Sequence, residues 1–329
     1  LLIKPLLPKI NLEKLKFSSN NNFLLKINKK FEVDDFTLES KISIDEFSII
    51  NTLNLKNFLP NIKENLKFSD HELSIKYIKE SLYIEGNGDV LLQDNNDSLT
   101  YSFNEKDNIF NFKTSIIIND NPLKIDFLNF KTNKALIELE GSKNKKKEIH
   151  VKFFSINEKK DKIKINNLTL NKKFEIIKSG GFLLDYIDDA NQKNQIKLYP
   201  MKNKYVLKGS SFNANNLIND LLFEDRNSNF LKIDTKIDID IEKLFLDKEY
   251  NLFNLKGDLD FKKKEVVNAN LNGNFSDDKK FKFTINTNES NKITTLFIDK
   301  AKPIVRRYKF IKGFDEGSLD FYSSKKFGE

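Results

Sequence analysis

Few residues of this chain combine the types and spacing that catalysis or metal binding requires. The two histidines, His71 and His150, lie far apart, and neither has a nucleophile or a ligand at a meaningful spacing. His150 alternates with Ile149 and Val151, which predicts an outward-facing surface position. The chain has no cysteine, which excludes a disulfide framework and a cysteine metal site.

Carboxylates and glycines also form no recognisable site. Asp185, Asp188 and Asp189 are close in sequence, but their spacing lacks the glycine and the distal glutamate of a calcium loop. The glycine pairs at 86–88 and 180–181 do not lie between a strand and a helix, as a phosphate-binding loop requires, so turns or bulges explain them. We therefore expect no enzyme, no cofactor and no metal site.

The charges indicate a solvated surface. The formal charge of +8 comes from 56 basic and 48 acidic residues, which are interleaved along the chain. A nucleic-acid surface usually gathers its basic residues on one face, so we expect no nucleic-acid partner. The lysine-rich stretches 143–147 and 262–264 are predicted as solvated turns, with contact to anionic headgroups as the alternative.

A period of two dominates the rest of the sequence. In residues 231–241, Leu, Ile or Thr at odd positions alternates with Lys or Asp at even positions, and similar runs return at 253–261, 269–275 and 281–285. This spacing puts the apolar side chains on one face of a strand and the charges on the other. Such a sheet needs something to cover its apolar face.

We predict roughly twenty strands in a meandering antiparallel order, separated by short turns. Residues 116–118 and 123–127 are predicted as two strands flanking a turn at 119–122. Three segments have helical spacing: 54–69, as a short helix or a pair of helical turns, 213–223, and 301–308 with Pro303 in its first turn. No helix follows each strand, which excludes a parallel α/β sheet.

The fold class expected is mainly β, with a long curled antiparallel sheet forming an elongated hydrophobic groove and a few short amphipathic helices. A β-sandwich and a closed barrel are the alternatives, and a solenoid would show a fixed short period that the chain lacks. We expect three segments: strands with a helical segment over 1–70, a β-groove region over 71–225, and a β module over 226–329. No apolar run is long enough for a membrane-spanning helix. Both ends suggest a fragment of a longer protein, with any anchor outside it.

Several motifs resemble those of AsmA-like envelope proteins of the YhdP type. Residues 209–218 are similar to the family's "G-x-S-F-D-A-x-x-L-L" step, with Asn213 where the family commonly has Asp. The glycine-containing strands at 84–92, 252–259 and 270–275 are similar to its strand modules. Residues 298–308 with 317–321 resemble its C-terminal unit, although Ala301 stands where that unit has Gly.

The resemblance implies a repeating β-groove of the bridge-like lipid carriers. Such proteins are anchored in the inner membrane of Gram-negative bacteria, reach through the periplasm, and are implicated in phospholipid supply to the outer membrane. For this chain it implies a non-catalytic carrier of phospholipid acyl chains, periplasmic, with possible envelope protein partners.

Ten residues of the C-terminal strands are the expected lipid-contact face, and ordinary sheet-core residues are the alternative interpretation. A register error of one residue would reverse a whole strand. The leading alternative function is a structural or scaffold β-protein of the envelope that binds proteins. The residues are Ile233, Ile237, Ile239, Leu255, Leu259, Leu271, Phe275, Phe281, Phe283 and Ile285.

Overall fold

The chain is mainly β: of the residues that the structure describes, 72% lie in strands, which belong to a nineteen-stranded sheet. A computed structural model describes residues 12–52, 54–146, 148–172, 174–217, 234–262, 265–288, 291–308 and 316–326. The prediction of a β chain built from about twenty consecutive strands is confirmed. Two compact units divide the chain, one within 1–125, 131–159 and 169–174, the other within 126–130, 160–168 and 175–329.

Unit 1 is a succession of long hairpins. Each strand pairs antiparallel with its sequence neighbour along β1 to β6, and β7 pairs with β8 in the same way. Its strands are β1 (Leu12–Ile27), β2 (Val33–Ile50), β3 (Asn65–Ile78), β4 (Ser81–Leu91), β5 (Asp97–Lys106), β6 (Ile109–Ile125), β7 (Phe130–Lys143, beginning in unit 2) and β8 (Ile149–Glu158).

Unit 2 contains most of β9 and all later strands. Ladders join β9 to β11 and then run from β11 through to β19. Its strands are β9 (Asp161–Leu170), β10 (Ile176–Lys178), β11 (Phe182–Ile187), β12 (Lys193–Met201), β13 (Lys204–Asn213), β14 (Thr235–Phe245), β15 (Asn251–Lys262), β16 (Glu265–Asn274), β17 (Lys280–Thr287), β18 (Asn291–Ile298) and β19 (Leu319–Lys326).

The predicted three-part division is not decided by these units. Its boundary at 70 falls inside β3, and its boundary at 225 falls outside the described residues. The three-part division therefore stays a prediction.

The predicted turn at 119–122 is wrong. These residues lie within the continuous strand β6, where Asp120 takes a positive φ of 57°. Asn121 holds the strand at this irregularity, because its side chain bonds to the neighbouring turn at Asn95 and to Asp97. A polar Asn-Pro segment therefore bends a strand here without ending it.

The segment 54–69 forms helical turns and then a strand. The amides of Phe58 and Leu59 donate to the carbonyl of Leu55, and the amide of Ile62 donates to Leu59. Leu59 and Ile62 are buried, as their three-residue spacing predicts. From Asn65 the chain is already in β3, so the helical spacing ends earlier than expected.

One ladder departs from the predicted antiparallel order. β13 and β14 pair in parallel, with Tyr205 opposite Ile237 and Leu207 opposite Ile239. A parallel pair needs a crossover of a dozen or more residues, and the segment after Asn213 supplies it. A helical stretch begins at 215–217 as expected, and the rest of the predicted 213–223 helix lies outside the described residues.

Two further short helical elements are described. A 3-10 turn, Asp126–Leu128, follows β6, and helix α1, Lys302–Tyr308, confirms the prediction at 301–308 with Pro303 in its first turn. Ala301 and Val305 of this element are buried. Within the described ranges, no helix has the length and apolarity needed to cross a membrane.

Candidate functional site

The expected lipid-contact residues of the C-terminal strands share one face of the sheet. Residues directly opposite in an antiparallel pair point to the same side. Ile237 lies opposite Leu259, and Leu271 opposite Phe283. The remaining members within strands, Ile239, Leu255, Phe281 and Ile285, follow the same alternation in β14, β15 and β17. We call this surface of β14–β17 the unit 2 apolar face.

Two members of the expected set do not belong to the described strands. Phe275 follows the end of β16, where its amide donates to the carbonyl of Lys279 in the turn to β17, and its side chain is buried. Ile233 lies outside the described residues. Phe275 therefore does not contribute to the ladder that defines the face.

The unit 2 apolar face is only partly sealed. Ile237, Ile239, Leu255 and Ile285 are buried. Four other members are half-buried, namely Leu259, Leu271, Phe281 and Phe283. The half-buried members lie in the neighbouring strands β15, β16 and β17, so this part of the face is accessible to solvent. The contact role of the whole set stays a prediction.

Unit 1 carries a second apolar face that sequence reasoning did not single out. The rings of Phe47 and Phe68 stack at 4.5 Å between centroids with an interplanar angle of 8°. His71 lies 5.6 Å from Phe68 and 6.1 Å from Tyr101, and Tyr101 lies 5.7 Å from Phe103. We call these five residues the aromatic row; apart from His71 they are half-buried.

Two glycines of β4 make room for this row. A β-carbon on Gly86 would lie 2.6 Å from Cζ of Tyr101, and one on Gly88 would lie 2.5 Å from Cγ of His71. Both rings therefore pack closely against the backbone of β4. Gly86 and Gly88 therefore lie within a strand, where they allow close packing, and not between a strand and a helix as in a phosphate-binding loop.

His71 is buried, unlike His150, whose predicted surface position is confirmed. Its Nε2 lies 3.0 Å from the carbonyl oxygen of Asp89. A carbonyl only accepts, so Nε2 must carry the proton and donate it. Nδ1 is buried with no hydrogen-bond partner. A bulge at Asp70, with φ of 54°, turns His71 onto the apolar side.

The carboxylates at 185–189 serve structure in this fold. The Asp188 carboxylate is buried and accepts from the amides of Ala190 and Gln192 and from the side-chain amides of Asn194 and Asn213. Asp185 pairs with Lys193. Among the described residues, no group of three potential ligands could hold a metal ion.

Tyr186, two residues before Asp188, makes a further buried hydrogen bond in this region. Tyr186 is fully buried, and its hydroxyl donates to the carbonyl of Leu128 at 2.6 Å. Burial, with the nearby Asp188 charge, raises the pKa of the Tyr186 phenol. The phenol therefore stays protonated and acts as a fixed donor.

Unit 1 has a comparable buried carboxylate. Asp97 Oδ1 accepts from the amide of Asn119 and the side chain of Asn121, both at 2.8 Å, while Oδ2 is buried without a partner. Burial raises the pKa of this carboxyl, opposed by the two hydrogen bonds. The arrangement fixes the turn between β4 and β5.

The lysine-rich stretches are exposed where they are described. Lys145 and Lys146 follow β7 in a turn, and Lys262 ends β15. Lys147, Lys263 and Lys264 lie outside the described residues. Lys145 and Lys146 agree with the predicted solvated turn, whereas Lys143 and Lys262 are exposed end residues of strands β7 and β15.

Comparison with known proteins identifies no relative. No family model matches the chain, and neither a curated protein nor a solved structure is similar to it. The resemblance to AsmA-like proteins therefore rests on the motifs alone.

Proposed function

We propose that this protein is a non-catalytic lipid carrier whose apolar sheet faces hold phospholipid acyl chains. The observation that carries the proposal is the half-exposed state of Leu259, Leu271, Phe281 and Phe283, neighbouring members of one face. In a β-sandwich, a facing sheet covers such residues.

The energetics favour an apolar occupant. Apolar surface left in water costs about 25 cal/mol per Å². An acyl chain can cover that surface without any specific polar contact, and a carrier of this kind needs no catalytic residue. The aromatic row of unit 1 offers a comparable half-buried surface.

The opposite face of the same strands carries charged side chains, which supports a lipid on one face and water on the other. Lys256 and Asp240 form an exposed ion pair across β14 and β15, and Lys208 of β13 pairs with the same carboxylate. These alternate with the apolar residues, so a bound lipid would meet one side of the sheet only. The motif resemblance adds a setting to the proposal, namely the Gram-negative periplasm, where such a carrier would supply the outer membrane.

Site-specific photo-crosslinking tests the proposal. A benzophenone amino acid replaces Phe283 on the apolar face or, as the matched control, Lys282 on the opposite face. Purification from lipid-containing cells, irradiation and mass spectrometry should give a phospholipid adduct at 283 and none at 282. Absence of copurified lipid and of an adduct at 283 rejects the carrier, and a protein adduct at 283 would favour the scaffold alternative.

A further inference from the structure

The polar side of unit 1 contains an open groove formed by five strands. Its volume is about 640 Å³, within the range of about 300–1,000 Å³ that is typical of small-molecule sites. Each strand from β4 to β8 contributes two residues that are separated by one position, such as Ser102 and Asn104 of β5. Alternate residues of a strand share a side of the sheet, and Ser102 lies between Tyr101 and Phe103. The groove therefore lies on the side opposite the aromatic row.

One row of side chains crosses the groove from β4 to β6. Tyr83 lies opposite Asn104, and Asn104 lies opposite Asn111, so neighbouring Cβ atoms in the row are about 4.5–5.5 Å apart. Tyr83 is 40% exposed at one end of the row. Oδ1 of Asn104 is buried with no hydrogen-bond partner. An unsatisfied buried acceptor is unfavourable, so a ligand that donates to this amide removes that cost.

A second row runs beside the first, two residues away on each strand. Glu85 lies opposite Ser102, and Ser102 lies opposite Lys113. In the described part of the chain, the side chains of these three residues form no hydrogen bond and no ion pair. Their donors and acceptors are therefore available to a ligand in the groove.

The wall of the groove on β7 and β8 is held by two side-chain contacts. Lys152 donates to the Glu140 carboxylate at 2.6 Å. Nδ1 of His150 lies 3.1 Å from the hydroxyl oxygen of Thr169, within hydrogen-bond distance. These contacts keep this wall in place without a ligand.

The charges of the groove do not favour an anion. Its two lysines, Lys113 and Lys152, are matched by two glutamates, Glu85 and Glu140. A phosphate site relies on cationic donors, and carboxylates beside them repel an anionic ligand. An uncharged ligand that is rich in hydroxyl groups fits this mixture of donors and acceptors.

We propose that this groove binds a neutral oligosaccharide. The amide, hydroxyl, carboxylate and ammonium groups that line it each donate to or accept from sugar hydroxyls. The exposed ring of Tyr83 provides an apolar surface for the C–H groups on one face of a sugar ring. The side-chain amide of Asn104 can turn toward such a ligand, because the χ2 torsion of asparagine is broad. The proposal concerns the polar side of unit 1 and does not depend on what the apolar faces hold.

Calorimetric titration of the full chain with maltotetraose, cellotetraose and chitotetraose tests the proposal. At least one of these neutral glycans should bind, and its affinity should change little between low and high salt. Tyr83→Ala should weaken that binding about tenfold, because the stacking surface is lost. Tyr322→Ala is the matched control, since Tyr322 is 65% exposed in β19 of unit 2, and it should bind as the parent does.

Asn104→Leu is a second variant that separates binding from folding. Leucine is similar in size and removes the unsatisfied acceptor, so thermal stability should not fall, while glycan binding should weaken at least about threefold. Inorganic phosphate is the probe for an anion site and should neither bind nor compete. Binding of none of the three glycans, binding that either Tyr83→Ala or Asn104→Leu leaves unchanged, or displacement of a bound glycan by phosphate would each overturn the proposal.

Discussion

The imidazole ring of His71 packs against the backbone of Gly88. A β-carbon on Gly88 would lie 2.5 Å from Cγ and 2.8 Å from Cα of His71. The second of these atoms belongs to the backbone, so a rotamer change cannot relieve the clash. The glycine is therefore required for the close approach of β3 and β4.

Gly88→Ala should lower the free energy of unfolding by about 1–3 kcal/mol, the usual cost of forcing an extra methyl into a packed site. Gly273→Ala is the control, because its β-carbon would meet no atom closer than 3.2 Å. Urea denaturation followed by circular dichroism measures both. Equal losses at the two positions would contradict the packing argument.

The stacked pair Phe47 and Phe68 should be energetically coupled. Its geometry, 4.5 Å and 8°, predicts a coupling energy of about 0.5–1.5 kcal/mol in a double-mutant cycle with Phe47→Ala and Phe68→Ala. Phe36 and Tyr77, at 6.0 Å, provide a comparison cycle in the same unit. Additive losses at 47 and 68 would show that the stacking contributes nothing beyond burial.

The buried carboxyl of Asp97 should make stability depend on pH. Burial raises its pKa in the folded state, so the folded protein binds the proton more tightly than the unfolded chain. Stability therefore falls as pH rises from the unfolded pKa, about 3.9, through the raised folded pKa. Asp97→Asn keeps the Oδ1 acceptor and removes only this residue's contribution to the pH dependence.

The measured quantity is the difference in unfolding free energy between Asp97→Asn and the parent. The variant should become increasingly stable relative to the parent as pH rises from 3 to 7. Asp107→Asn, in an exposed turn, is the control and should follow the parent. A difference that stays constant with pH would refute the assignment to Asp97.

The sequence predicted the faces where alternation is regular and failed where a bulge shifts it. Ile237 and Leu259 share a face as their spacing predicts. His71 could not be placed, because the bulge at Asp70 changes which positions of β3 face inward. β11 was not predicted from the sequence, because Leu183 interrupts the alternation of Phe182, Leu184 and Tyr186. Its pairing with β12 establishes the strand.

The direction in which strands pair was less predictable than the side of the sheet that their residues face. The parallel pairing of β13 and β14 depends on a connection of about twenty residues, and alternation within a strand carries no information on direction. The accessible part of the unit 2 apolar face was also beyond the sequence. Leu255 and Leu259 have the same spacing, yet only Leu259 is half-buried, because exposure depends on what packs above each position.

Asn213 stands where the AsmA-like motif that residues 209–218 resemble has Asp, and its contacts allow a test of that difference. Its side-chain amide donates to Asp188 Oδ2 at 2.7 Å, and its Oδ1 accepts from the amide of Asn215. Asn213→Asp would keep the second bond but turn the first into a contact of two buried carboxylates. We expect a loss of at least about 2 kcal/mol at pH 7.

The loss should shrink in acid, because proximity of like charges raises the pKa of one carboxyl, which once protonated can donate to the other. Asn286→Asp, exposed on β17, is the control and should change stability little. Thermal unfolding between pH 4 and pH 8 measures both variants. If Asn213→Asp matches the parent at pH 7, the amide donor is dispensable and the Asp188 network does not determine the residue at this position.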